Sequence, residues 1–181
     1  EMVQSLQRWW IPLSGQQIPE LQNELIHKEL RQFLLDAKPG GFRAIGSGQP
    51  ENLVLYLFEA VFPLPKLVIA GAGHIGKALA HLGALLDFEV TVIDERAEYA
   101  NEASLPDADH ILVQDIGRAM EQLEKTKDSY IVIVTRGHAS DAEALKPCIG
   151  CDAAYIGMIG SKHKVALMRD KFISEGWATT D

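Results

Sequence analysis

The chain has 181 residues, enough for one medium domain, or one domain with an appendage, around a real core. Hydrophobic residues at 47% and charged residues at 23% are the balance of an ordinary soluble globular protein and exclude a disordered one. Seventeen basic against twenty-five acidic side chains give a net charge of −8, which repels nucleic acid and anionic membranes in the absence of a basic stripe.

No apolar run reaches the roughly 20 residues of a membrane-spanning helix, and no secretory leader pattern is visible. A cytoplasmic protein is expected. Glu1 at the start and the abrupt end at Asp181 suggest a fragment of a longer chain.

Residues 1–15 contain Trp9, Trp10, Ile11 and Pro12 without clear periodicity and carry no assignable role. From 18 to 35, Ile18, Leu21, Leu25, Ile26, Leu30, Phe33 and Leu34 recur at three- and four-residue intervals, which predicts a helix with one apolar face. Pro39-Gly40-Gly41 stops it. Runs at 42–45 and 52–62 predict two strands joined by a turn through Gly46-Ser-Gly-Gln-Pro50. The second is apolar on both faces except at Glu59, so cover is expected on both sides, from the partner of a homodimer or from further chain. Pro63-Leu-Pro65 reads as a stiff linker. It sets a boundary near residue 64, between a small N-terminal α/β appendage (1–64) and a second domain (65–181).

The richest stretch is 67–95, LVIAGAGHIGKALAHLGALLDFEVTVIDE. An apolar run leads into Gly71-Ala-Gly73-His74-Ile-Gly76, a helical segment follows, and a second apolar run ends at Asp94. Gly71 suits a tight turn off the strand, Gly73 a close approach of backbone to a pyrophosphate, and Gly76 close packing of helix on sheet. The helix start offers unpaired N–H groups and partial positive charge to an anion. Asp94 is placed where a carboxylate can accept from a ribose diol. His74 points toward whatever binds at the turn, or into solvent.

After an irregular 96–109, with room for a short helix at 97–103, come a strand at 111–113, a helix at 116–127 and a strand at 130–134. A helix at 142–145, a strand at 153–156 and a helix at about 161–174, ended by Gly176, complete the chain. Strands alternating with helices predict an α/β fold: a doubly wound, Rossmann-like parallel sheet of order 3-2-1-4-5. Ligands in such sheets bind beyond the carboxyl ends of the strands where the winding reverses. That rule selects the loops 71–76 and 135–140.

The second loop offers Thr135, Arg136 and His138, with Asp141 close behind, a plausible polar site for an anionic ligand. Ser140 and Glu143 also fit a capping box, which would make Asp141 a structural first-turn acid. Gly157, Gly160, Ser161 and Lys162 form another anion-binding candidate, or a helix capped by Ser161. Lys164, Arg169 and Lys171 are expected on the solvated face. Cys148 and Cys151 form CxxC, but the pair closes a helix and precedes a strand, so incidental cysteines are favoured over a redox pair. No metal-binding motif is evident.

GAGHIGKALA, TVIDERAEYAN, TRGHASDAEAL and YIGMIGSKHK, in this order, resemble the Rossmann domain of the xanthine dehydrogenase accessory (XdhC/CoxI) family over about 55–177. The resemblance implies an accessory protein of molybdenum hydroxylase maturation, more a carrier than a catalyst. Such a protein binds the molybdenum cofactor, protects it and helps deliver its sulfurated form to the hydroxylase apoenzyme, with a sulfurating cysteine desulfurase as a further partner. By resemblance the cofactor-binding positions are Gly71, Gly73, His74, Gly76, Asp94, Arg96, Thr135, Arg136, His138, Asp141, Gly157, Gly160, Ser161 and Lys162. The family's amino-terminal Gly-Ser-x-Pro-Arg type segment is not found in 1–64. From the residues alone, two other readings stand: an NAD(P)-dependent oxidoreductase, on the glycine turn and Asp94, and an interaction module without ligand.

Overall fold

The β-branched runs that follow residue 65 align as one parallel sheet in a computed structural model, which describes residues 24–36, 38, 41–49 and 53–179. The chain divides into two compact units, Glu1–Phe62 and Pro63–Asp181.

In the first unit, helix α1 (Glu24–Asp36) buries Ile26, Leu30 and Phe33, three residues of a single face. Strands β1 (Phe42–Ser47) and β2 (Val54–Glu59) form an antiparallel hairpin with Ile45 opposite Tyr56. Phe58 and Tyr56 pack on the helix side, with Phe33 and Phe58 ring centroids 5.9 Å apart. The expected cover on the strand's other face is absent among the described residues, since Leu55 and Leu57 are 69% and 65% exposed. The predicted helical residues 18–23, the tryptophans at 9 and 10, Pro39-Gly40 and the turn and strand residues 50–52 lie outside the described residues.

The second unit is built of β3 (Lys66–Ala70), α2 (His74–Leu85), β4 (Glu89–Ile93), β5 (His110–Leu112), α3 (Ile116–Gln122), β6 (Ser129–Ile133), α4 (His138–Leu145), β7 (Tyr155–Met158) and α5 (Lys162–Ser174). The sheet order is β5-β4-β3-β6-β7, with parallel pairing throughout. This is the expected Rossmann-like order. The period-two alternation of β3 explains the layering. Leu67 and Ile69 join Val90, Val92 and Ala80 of α2 on one face, while Val68 and Ala70 join Ile131, Ile133 and residues of α3 and α4 on the other. A third cluster seats Met168 and Phe172 of α5 against Ala142 of α4.

Several element bounds differ from expectation. Residues 97–104 form turns rather than a helix, and α3 ends at Gln122 rather than near 127. Strand β7 lies two residues later than predicted. The largest difference is α4, which starts at His138, not at 142. Gly137 turns the chain with φ 118°, a left-handed value that favours glycine. The capping box at Ser140 and Glu143 is therefore not formed, because Ser140 is already inside the helix.

Candidate functional site

The carboxyl ends of β3, β4 and β6 bring three loops together at the reversal between β3 and β6. The loop after β3 turns at Gly71, whose φ is 115° and whose N–H donates to Ile93 O at 2.8 Å. A side chain at Gly71 would also meet the Val134 carbonyl at 2.8 Å. Gly76 clears the Gly71 carbonyl, so it closes the turn on itself rather than seating helix on sheet. The close helix-to-sheet contact falls instead at Gly83, where a Cβ would lie 2.6 Å from Leu67 and 3.0 Å from Val90. Gly73 has open space where its side chain would be, which leaves room for a ligand at the helix start.

Helix starts in this unit are of two kinds. Asp115 caps α3 by accepting from Arg118 N at 2.8 Å, and Ser161 caps α5 by accepting from Lys164 N at 3.2 Å. By contrast, α2 and α4 begin at Gly73 and Gly137, which supply no side-chain cap. Their first-turn N–H groups have no intrahelical acceptor. The two uncapped starts are those that flank the sheet's reversal, which is where a bound anion gains most from them.

Asp94 is filled in a way the sequence does not suggest. Its carboxylate is only 2% exposed. Oδ2 accepts from Ala72 N at 2.8 Å and from Arg96 Nη2 at 2.7 Å, and Oδ1 accepts from Arg96 Nε at 2.8 Å and Arg96 N at 3.0 Å. The accepting positions of Asp94 expected to serve a ribose are thus occupied by donors from Arg96 and the glycine loop. Burial pushes the carboxyl pKa up, but the Arg96 guanidinium and the two backbone N–H groups outweigh it and hold it below its ordinary value. The same pairing raises Arg96. Arg96 also lies 4.3 Å from the centroid of the Tyr99 ring, and Arg136, from the loop after β6, lies 5.5 Å from it.

Below this edge sits a buried charged cluster. Asp141, fully buried, accepts from Thr135 Oγ1 at 2.6 Å and pairs with Lys164. The Lys164 side chain is only 15% exposed, which corrects its expected place on the solvated face. Asp141 thereby ties α4 to α5 and fixes Thr135.

Of the remaining expected site residues, His74 is exposed at the first position of α2, and His138 holds the first position of α4. Gly157 lies at the end of β7, and Gly160 and Lys162 are exposed beside Ser161. Ser161 is committed as a helix cap. The structure brings together Gly71, Gly73, Gly76, Asp94, Arg96 and Arg136, with the Thr135 backbone against Gly71 and its side chain on Asp141. Tyr99 and Lys164 are participants that sequence reasoning missed. Cys148 is buried and its thiol donates to Ala144 O at 3.4 Å, and burial raises its pKa to about 11, so it stays protonated near neutrality. Among the described residues no group of three or more His, Cys, Asp or Glu could hold a metal ion, and no helix is long and apolar enough to cross a membrane.

Over 116 residues the chain is 34% identical to the uncharacterized protein YqeB of Escherichia coli (strain K12), covering 61% of this chain and 21% of that protein. It is 26% identical over 116 residues to a probable xanthine dehydrogenase subunit of Bacillus subtilis (strain 168), covering 64% and 34%. The solved structure of a xanthine dehydrogenase from Bacillus halodurans matches with a TM-score of 0.57 at 24% identity, over 65% of this chain and 34% of that one, a likeness of fold. The chain spans about a fifth to a third of the length of the curated relatives it matches. Residues 67–181, which hold the glycine turn, both uncapped helix starts and the Asp94–Arg96 pair, match the XdhC Rossmann domain, and the chain belongs to that family.

Proposed function

We propose that the chain serves molybdenum hydroxylases of the xanthine dehydrogenase type as an accessory protein, binding a phosphorylated cofactor in the β3–β6 crevice and aiding its insertion. The observation that carries this reading is the pair of uncapped helix starts at Gly73 and Gly137, with Arg96 and Arg136 beside them. Phosphate oxygens match those N–H groups and guanidinium forks. The molybdenum cofactor is cargo in this reading, and its redox chemistry belongs to the client enzyme. A probable xanthine dehydrogenase subunit among the relatives supports a molybdenum hydroxylase as the partner. The uncovered Leu55 and Leu57 support self-association through the first unit.

Equilibrium dialysis of the purified protein against molybdenum cofactor, NAD and NADP tests the reading. Saturable binding of at least one is expected. Gly73→Asp should weaken it about tenfold or more, since a carboxylate would cap α2 and repel the phosphate. Because the space at Gly73 is open, that variant should keep or gain thermal stability. Absence of binding by all three ligands would sink the proposal. The glycine turn supports a second reading, an NAD(P)-dependent oxidoreductase, which predicts consumption of NADH with a small carbonyl substrate.

A further inference from the structure

We propose that Arg96 and Arg136, gathered at Tyr99, form a site for a phosphomonoester dianion at the mouth of the crevice, held in place by Asp94. The proposal rests on the phosphate-binding reading of the crevice and names which phosphate the site selects.

The argument begins with what Asp94 can no longer do. A carboxylate offers about four lone-pair directions, and Ala72 N, Arg96 N, Arg96 Nε and Arg96 Nη2 occupy them. A ribose diol arriving at the end of β4 finds no free acceptor on Asp94. What it meets is Arg96. Only Nε and one N–H of Nη2 are spent on Asp94, so Nη1 and the second N–H of Nη2 remain for a ligand. Asp94 is in this sense a positioning residue. It fixes one edge of the guanidinium, and with its Ala72 contact it locks that guanidinium to the glycine loop.

Arg136 supplies the second cation. It is exposed and has no acidic partner among the described residues. It reaches the same Tyr99 ring from the loop after β6, on the other side of β3 from Arg96. Two guanidinium groups drawn to one ring repel each other, and Asp94 is already paired with Arg96. Asp94 and, at longer range, Glu98 balance Arg96, so in a chain of net charge −8 Arg136 is the cation left to a ligand. A group with two negative charges and three acceptor oxygens fits two guanidinium forks better than the single charge of a phosphodiester. In a sheet of this order, a nucleotide whose pyrophosphate lies at the α2 start places its ribose toward the end of β4, so a 2′-phosphate falls beside Arg96. The terminal phosphate of a pterin cofactor offers the same chemistry.

Isothermal titration of the whole chain with NADP, NAD and molybdopterin, repeated on Arg136→Ala and Arg136→Lys, decides the matter. If the dianion is a ribose 2′-phosphate, NADP binds at least about tenfold more tightly than NAD. Arg136→Ala then removes most of that ratio, weakening NADP about tenfold more than NAD, and Arg136→Lys restores only part. If the dianion is the pterin phosphate, molybdopterin affinity falls about tenfold in Arg136→Ala and the dinucleotides compete weakly. Arg136 is exposed, so these variants should fold. NAD and NADP binding alike, with molybdopterin affinity unchanged in Arg136→Ala, overturns the dianion site and leaves the crevice reading intact. Failure of all three ligands to bind the unaltered protein overturns both.

Discussion

At the scale of single residues, Asp94 is the group on which local order at the site depends. Its folded-state pKa lies below its ordinary value of 3.8 because Arg96 and two backbone N–H groups outweigh the cost of burial. For a depressed carboxyl, the linked stability is complete above the unfolded pKa and is lost as pH falls through the folded one. The acid limb of stability should therefore steepen below pH 3.8, and Asp94→Asn should be less stable than the unaltered protein at neutral pH. Melting curves of the two proteins should converge as pH drops into that window, and a gap that stays constant with pH would refute the assignment. The sequence made Asp94 and Gly71 legible, because spacing from a glycine turn is a covalent regularity. It hid the role of Arg96, because a carboxylate gripped by the side chain two residues on depends on the shape of the turn. Tyr99 was hidden for the same reason.

At the scale of elements, the instructive case is the join between α4 and α5. Ser140 and Glu143 have the spacing of a capping box, but that spacing works only when the serine stands at the cap. The left-handed turn at Gly137 starts the helix earlier, and Asp141 N bonds to Gly137 O at 3.3 Å inside it. Asp141 then points inward and is fully buried, where a charge requires a partner. Lys164 supplies one from α5. Its position in KHKV gave no sign of this, since a lysine near a helix start is ordinarily solvated. Removing one member of a buried pair strands the other, at a cost of about 3 to 5 kcal/mol, whereas replacing both with apolar residues is often neutral. Lys164→Met should thus lower stability by about that amount, and adding Asp141→Leu should recover most of it. Chemical denaturation of the two variants checks this, and a single variant as stable as the unaltered protein would show that the pair contributes nothing.

At the scale of the whole molecule, the sheet order was legible because alternating strand and helix signals leave few arrangements once crossovers are right-handed. Strand ends were less so, since β-branched runs such as 130–134 carry no mark of where pairing stops. Two apolar faces on β2 imply cover on both, yet only Tyr56 and Phe58 find it among the described residues. Sequence pattern reports that a face is apolar, not what lies on it. The packing of the two units differs in a way that can be tested. Every residue of the clusters around Ile69 and Ile133 comes from the second unit, and every residue of the cluster around Phe33 from the first. A fragment of residues 63–181 should therefore fold by itself, melt in one cooperative transition and keep the ligand profile of the whole chain. It should also sediment as a monomer, because Leu55 and Leu57 belong to the part removed. A fragment without a cooperative transition would show that the core of the second unit depends on the first, and one that self-associates as the whole chain does would move the association surface off β2.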